Sequence, residues 1–197
     1  MAYIKNTAFE SRVSNDKRND LANVTGRFQT DGADDVCSAG FLCVRGENLP
    51  CEGYSAQNLK NENAWYMEKA TADAKISTVI YACNTYDWNL IVDPVTGAEY
   101  AVGDNTLGLP VPAGRDGAFT KIDFTGDRRY RFGIGNVEGT IGTNKYMTIA
   151  DGMLVPTSEI PAANGSIYFE LDGQGNFTQG TRSSFGYVDV IAKHVVA

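Results

Sequence analysis

Apolar and polar positions alternate with a period near two through the second half of this chain, and that period predicts strands rather than helices. Asn89–Val92, Ala118–Phe124, Tyr130–Ile134, Ile167–Leu171 and Tyr187–Ile191 alternate or run as short strands do. Between them lie dipeptides that tolerate positive φ: Thr96-Gly97, Asp116-Gly117, Thr125-Gly126-Asp127, Asp151-Gly152 and Asp172-Gly173-Gln174-Gly175-Asn176. Upstream, Gly40–Arg45 and Thr78–Cys83 read as two further strands, and Asn63–Ala74 is compatible with a short helix. From Asn6 to Val24 the chain is polar, with Phe9, Val13, Leu21 and Val24 at spacings that suit a helix only loosely. A polar segment with so few apolar anchors buries little surface by itself, so an extended arm that orders on a neighbouring subunit fits the same residues.

Strands at this spacing with little helix between them predict a mainly β fold, an antiparallel β-sandwich or small barrel, with α+β as the variant. At most one or two short helices are expected. The expected layout is an N-terminal arm over residues 1–35 and a β-rich domain over 36–197, with a possible subdivision near 87–88. Glycine usage supports that division: 5 of the 21 glycines lie in residues 1–87 and 16 in residues 88–197.

The net charge of −7 is spread evenly, −3 over residues 1–87 (9 basic, 12 acidic) and −4 over 88–197 (8 basic, 12 acidic). Nucleic-acid binding draws on clustered Lys and Arg, so no nucleic-acid partner is expected. The first twenty residues contain no apolar run of the length a signal peptide or membrane span requires, so synthesis in the cytosol and no membrane partner are expected. Cys37, Cys43, Cys51 and Cys83 are then expected to be reduced.

The residues do not assemble a recognisable catalytic set, and no enzyme activity, metal or cofactor is expected. His194, the sole histidine, is the fourth residue from the end and has no Gly-x-Ser-x-Gly partner motif. The spacing Cys37-x5-Cys43-x7-Cys51 is too wide for a structural zinc site, and buried small hydrophobes is the favoured reading. Asp31-Gly32-Ala33-Asp34-Asp35 invites calcium, but position twelve of such a loop is Leu42 instead of glutamate, which favours an acidic surface loop. Gly133-Ile134-Gly135-Asn136 and Gly103–Gly108 lack the remaining features of nucleotide loops. In Asp127–Phe132, Arg129 and Arg131 share one strand face and Tyr130 and Phe132 the other. This describes a half-buried strand, with protein contact through the arginines as the functional alternative.

The order of features resembles the capsid decoration (head-stabilising or cement) proteins of tailed phages that infect Gram-positive hosts. The resemblance rests on the start MAYIKNTAFESRVSN, on Gly40–Arg45, on Asn84-Thr85-Tyr86-Asp87, and on a C-terminal part built from 131–136, 146–152 and 162–171. It implies a virion structural protein on the outer surface of the capsid, bridging subunits of the major capsid protein, in a homo-oligomer for which trimers are common. Partner-binding residues expected are Tyr3, Ile4, Phe9 and Val13 of the arm, with Arg129 and Arg131 from the protein-contact reading of their strand. Two rival functions are a tail or fibre component that binds host glycan and a carboxylate-dependent cell-wall hydrolase.

Overall fold

Fourteen strands in three sheets make up the structure, a computed structural model that describes residues 7–11, 23–50, 60–72, 74–84, 90–92, 99–101, 110–179 and 183–196. Five of them close a barrel: β2 (Asn23–Thr30), β5 (Lys60–Lys69), β4 (Leu42–Pro50), β6 (Tyr81–Cys83) and β9 (Gly117–Lys121), with β9 returning to β2. All its pairings are antiparallel except β2 with β5, which run parallel with Thr25 opposite Ala64 and Phe28 opposite Met67. A two-residue strand, β3 (Ala33–Asp34), folds back on β2.

The second sheet has the order β1-β10-β14-β13-β11-β12 and is wholly antiparallel. Its members are β1 (Phe9–Ser11), β10 (Arg129–Gly133), β11 (Tyr146–Ala150), β12 (Met153–Thr157), β13 (Ile167–Gln179) and β14 (Ser183–His194). A separate hairpin joins β7 (Leu90–Val92) to β8 (Glu99–Ala101). The mainly β class and the barrel are thus observed.

Two apolar cores result. One fills the barrel, with Phe28, Phe41, Met67, Tyr81 and Phe119 at its centre. The other lies between the barrel wall and the second sheet, where Leu42, Ile80 and Ala82 meet Phe132, Phe169 and Val190. Strand alternation supplies both from one segment: Cys43 faces the barrel core, while its neighbour Leu42 faces the sheet.

The β11–β12 turn fastens the layers. Asp151 and Gly152 both adopt positive φ, 47° and 78°, in a two-residue hairpin turn of the type their sequence predicts. The Gly152 carbonyl accepts from Leu42 N–H at 2.8 Å and its N–H donates to the Ala70 carbonyl at 2.9 Å. The Phe41 ring occupies the space a β-carbon at Gly152 would need.

Three expectations are corrected. Residues 63–69, expected to begin a short helix, belong to β5, because Met67 serves the barrel core while Ala70, just beyond the strand, serves the core between layers. Their helix-like spacing arises from two cores. Asp172–Asn176 does not turn the chain but lies inside β13, where a bulge between Leu171 and Gly173 absorbs one extra residue. The arm expected over residues 1–35 is also different in kind, since β2 is a barrel wall and β1 an edge strand of the second sheet. Apart from β1, the barrel strands precede those of the second sheet, with the change between β9 and β10; position 87–88 lies outside the described residues, as does Thr96-Gly97.

Candidate interaction surface

β1 is the shortest strand of the second sheet, and contacts from several segments set its place. Phe9 is opposite Phe132, Glu10 opposite Arg131 and Ser11 opposite Tyr130. Thr7, Ala8 and Phe9 are buried, and the Phe9 ring lies 5.3 Å from that of Phe132 and 6.0 Å from that of Tyr130. The aromatic anchor read from the sequence is therefore seated on its own chain.

Asn136, 1% exposed, holds that seat. It closes a short 3₁₀ turn, Ile134–Asn136, immediately after β10. Its Oδ1 accepts from Ala8 N–H at 3.1 Å, and its Nδ2 donates to the Ala39 carbonyl at 2.8 Å. Gly133 N–H donates to the Ala8 carbonyl at 2.9 Å. One amide thereby joins the N-terminal strand, the loop entering the barrel and the second sheet. Gly40, at φ 76°, passes so close that a β-carbon there would meet the Ala8 carbonyl oxygen at 2.7 Å and Asn136 Nδ2 at 2.8 Å. Nothing in sequence marks Asn136 as a buried clip, because its partners are 128 and 97 residues away.

The two arginines have different fates. Arg131 makes a two-pronged ion pair with Asp189, Nε to Oδ1 at 2.7 Å and Nη2 to Oδ2 at 2.8 Å, and its guanidinium lies 3.6 Å from the Tyr187 ring centroid. Its charge is committed within the sheet. Arg129 is exposed, with Asp172 at 3.4 Å. Tyr130 and Phe132 are both fully buried, on the opposite face of β10, as the alternation predicts. Burial pushes the Tyr130 hydroxyl up to about 12, and its oxygen accepts from Asp123 N–H at 2.9 Å. Tyr3, Ile4 and Val13 lie outside the described residues.

The chemical candidates take structural places. His194 Nδ1 is 2.9 Å from the Phe124 carbonyl, which can only accept, so that nitrogen carries the proton. Asp31 and Gly32, at φ 53° and 77°, form the tight turn between β2 and β3. Cys37, Cys43 and Cys83 are free, buried thiols of the barrel core; Cys83 Sγ is 3.8 Å from the Cys37 carbonyl, and Cys51 lies outside the described residues. Burial holds the Cys37 thiol well above its usual range, with the Cys43 and Cys83 thiols adding to the effect, and burial raises Cys43 as well. Among the described residues, no three His, Cys, Asp or Glu side chains are placed to hold a metal ion.

One further cluster escaped the sequence reading. The Arg45 guanidinium lies 4.7 Å from the Trp65 ring centroid and 5.3 Å from that of Tyr81. Burial raises the Tyr81 hydroxyl and the neighbouring arginine opposes that rise. The three residues come from β4, β5 and β6, and the pairing of β4 with a strand on each side brings them together. The chain matches no protein-family model, no curated protein and no solved structure.

Proposed function

We propose that this chain is a virion structural protein that attaches to the outer surface of a phage capsid and stabilises it by bridging major capsid protein subunits. The observation that carries the reading is the seat of the N-terminal strand. β1 is fixed by Asn136 and by its pairing with β10, and it forms an outer edge of the second sheet. Chain flanking a fixed edge strand starts from a defined point of the fold. Tyr3 and Ile4 fall within four residues of Thr7, and Val13 two residues beyond Ser11, a reach of roughly 7–14 Å at extended-chain spacing.

A strap held at one point and carrying isolated apolar side chains suits contact across a subunit boundary. Its ordering cost is lower than that of a free peptide, because β1 is already placed. Phe9 is part of the mounting in this reading, and Tyr3, Ile4 and Val13 are the side chains that reach the neighbour. Exposed Arg129 adds a polar contact on the same sheet.

The test keeps β1 intact. A triple variant, Tyr3→Ala with Ile4→Ala and Val13→Ala, is mixed with expanded capsids lacking this protein and sedimented. The expected result is a loss of bound protein of tenfold or more, with an unchanged melting temperature of the free chain. Full binding by the variant would remove the strap from the account, and failure of the unaltered chain to bind such capsids would remove the function itself.

A further inference from the structure

The β13–β14 hairpin is longer than the sheet that supports it. On one flank, β10 ends its pairing with β14 at Gly133 opposite Tyr187. On the other, β11 pairs with β13 only at Phe169 and Glu170, and Leu171 N–H makes the next bond to the Lys145 carbonyl. Beyond the bulge, β13 runs on to Gln179 paired with β14 alone. Among the described residues, no strand covers the edge of β13 from Gly173 to Gln179.

Bare strand edges invite another chain, and proteins ordinarily blunt them with proline, charge, shortness or cover. Two other edges here follow that rule. β12 contains Pro156, and its Leu154 carbonyl is taken by Glu138 N–H at 2.8 Å. β3 has two residues and ends on Asp34. The β13 edge reads Gly-Gln-Gly-Asn-Phe-Thr-Gln, with neither charge nor proline. Gln174 and Asn176 are exposed. A two-stranded ribbon is marginal in water by itself and is stabilised by a third strand.

We propose that this edge pairs antiparallel with the same edge of a second copy of this chain, joining two hairpins into one four-stranded sheet. Charge selects the occupant. Two copies of a chain carrying −7 repel wherever carboxylates meet, and residues 173–188 are the longest run of the sequence without Asp or Glu. Residues 173–179 contain no Lys or Arg for an acidic partner and no carboxylate for a basic one, so a neutral, self-complementary edge matches itself. Seven residues give about 24 Å of edge, enough for a main-chain ladder but less than the area of a permanent dimer. The dimer is therefore reversible and depends on concentration. The inference stands independently of the capsid reading.

Sedimentation equilibrium of the full chain between about 1 and 200 µM, the range in which such small interfaces populate, tests it. The unaltered chain is expected to follow a monomer–dimer equilibrium. Gln174→Lys with Asn176→Lys, and separately Gln174→Glu with Asn176→Glu, each place like charges across the two-fold and should weaken the dimer about tenfold or more. An equimolar mixture of the two variants should restore association to within about threefold of the unaltered chain, because opposite charges then face each other, and a misfolded variant would not do this. A chain that stays monomeric throughout, an oligomer that survives both charged variants, or a mixture that fails to associate would each overturn the proposal.

Discussion

Replacing Asn136 by alanine removes one side chain that satisfies two buried main-chain groups. Ala8 N–H loses its acceptor and the Ala39 carbonyl loses its donor, and both residues are fully buried. A buried polar group left without a partner costs about 1–3 kcal/mol, so the pair costs about 2–6 kcal/mol. That is a large share of the roughly 5–15 kcal/mol by which a domain is stable. Urea unfolding followed by tryptophan fluorescence measures it: the midpoint should fall with little change in slope. Asn144→Ala, in a turn where the structure assigns that residue only a backbone bond, should change stability by less than about 0.5 kcal/mol and serves as control. Hydrogen exchange adds the spatial test, since Ala8 and Gly133 amides should lose protection more than the Val190 and Ala192 amides of the sheet centre. A loss below about 0.5 kcal/mol for Asn136→Ala, or exchange that rises uniformly, would refute the clip.

Gly152→Ala puts a β-carbon into the Phe41 ring at a position with φ 78°, and should lower stability by about 2–4 kcal/mol, or roughly 5–15 °C in melting temperature by calorimetry. Cys37, Cys43 and Cys83 should react with an aromatic disulfide reagent only as fast as the chain unfolds, so three thiols should appear late and together on adding urea; fast labelling of more than one of the four in the native protein would contradict this. Tyr130 has a folded pKa above its unfolded value of 10.0, so its contribution is complete below pH 10 and is lost as pH rises towards 12. Tyr130→Phe should flatten the decline of stability between those values, as read from urea midpoints at a series of alkaline pH. Asp123 has the opposite sign. Burial raises its carboxyl, but bonds from the Thr125 hydroxyl and amide and from Arg128 outweigh that and leave it lowered. Asp123→Asn should therefore remove stability at neutral pH and reduce its loss as pH falls below 3.8.

Local chemistry was legible in the sequence and distant pairing was not. The alternation of Tyr130-Arg131-Phe132 and of Tyr187-Val188-Asp189-Val190 located β10 and β14, and Asp151-Gly152 marked its turn, because strand faces and positive φ are properties of adjacent residues. β5 was misread since Ala64, Met67 and Ala70 recur at intervals of three, as one helix face would, whereas Met67 and Ala70 fill different cores. The glycines of 173–175 suggested a turn, but they widen a bulged strand in which Gly175 lies beneath the Tyr187 ring. Phe9 was recognised as an anchor, although its seat is the aromatic pair on β10 of the same chain. Asn136 and the stack of Arg45 on Trp65 and Tyr81 depend on contacts between remote segments, which composition and periodicity do not encode.

The capsid-surface role is tested most directly by the number of copies of this chain in purified virions, quantified by mass spectrometry against the major capsid protein. The account expects a fixed ratio on the order of one copy per few capsid subunits, because a protein that bridges neighbours over the whole shell must repeat with the lattice. Absence from the virion, or a few copies per particle, would contradict it.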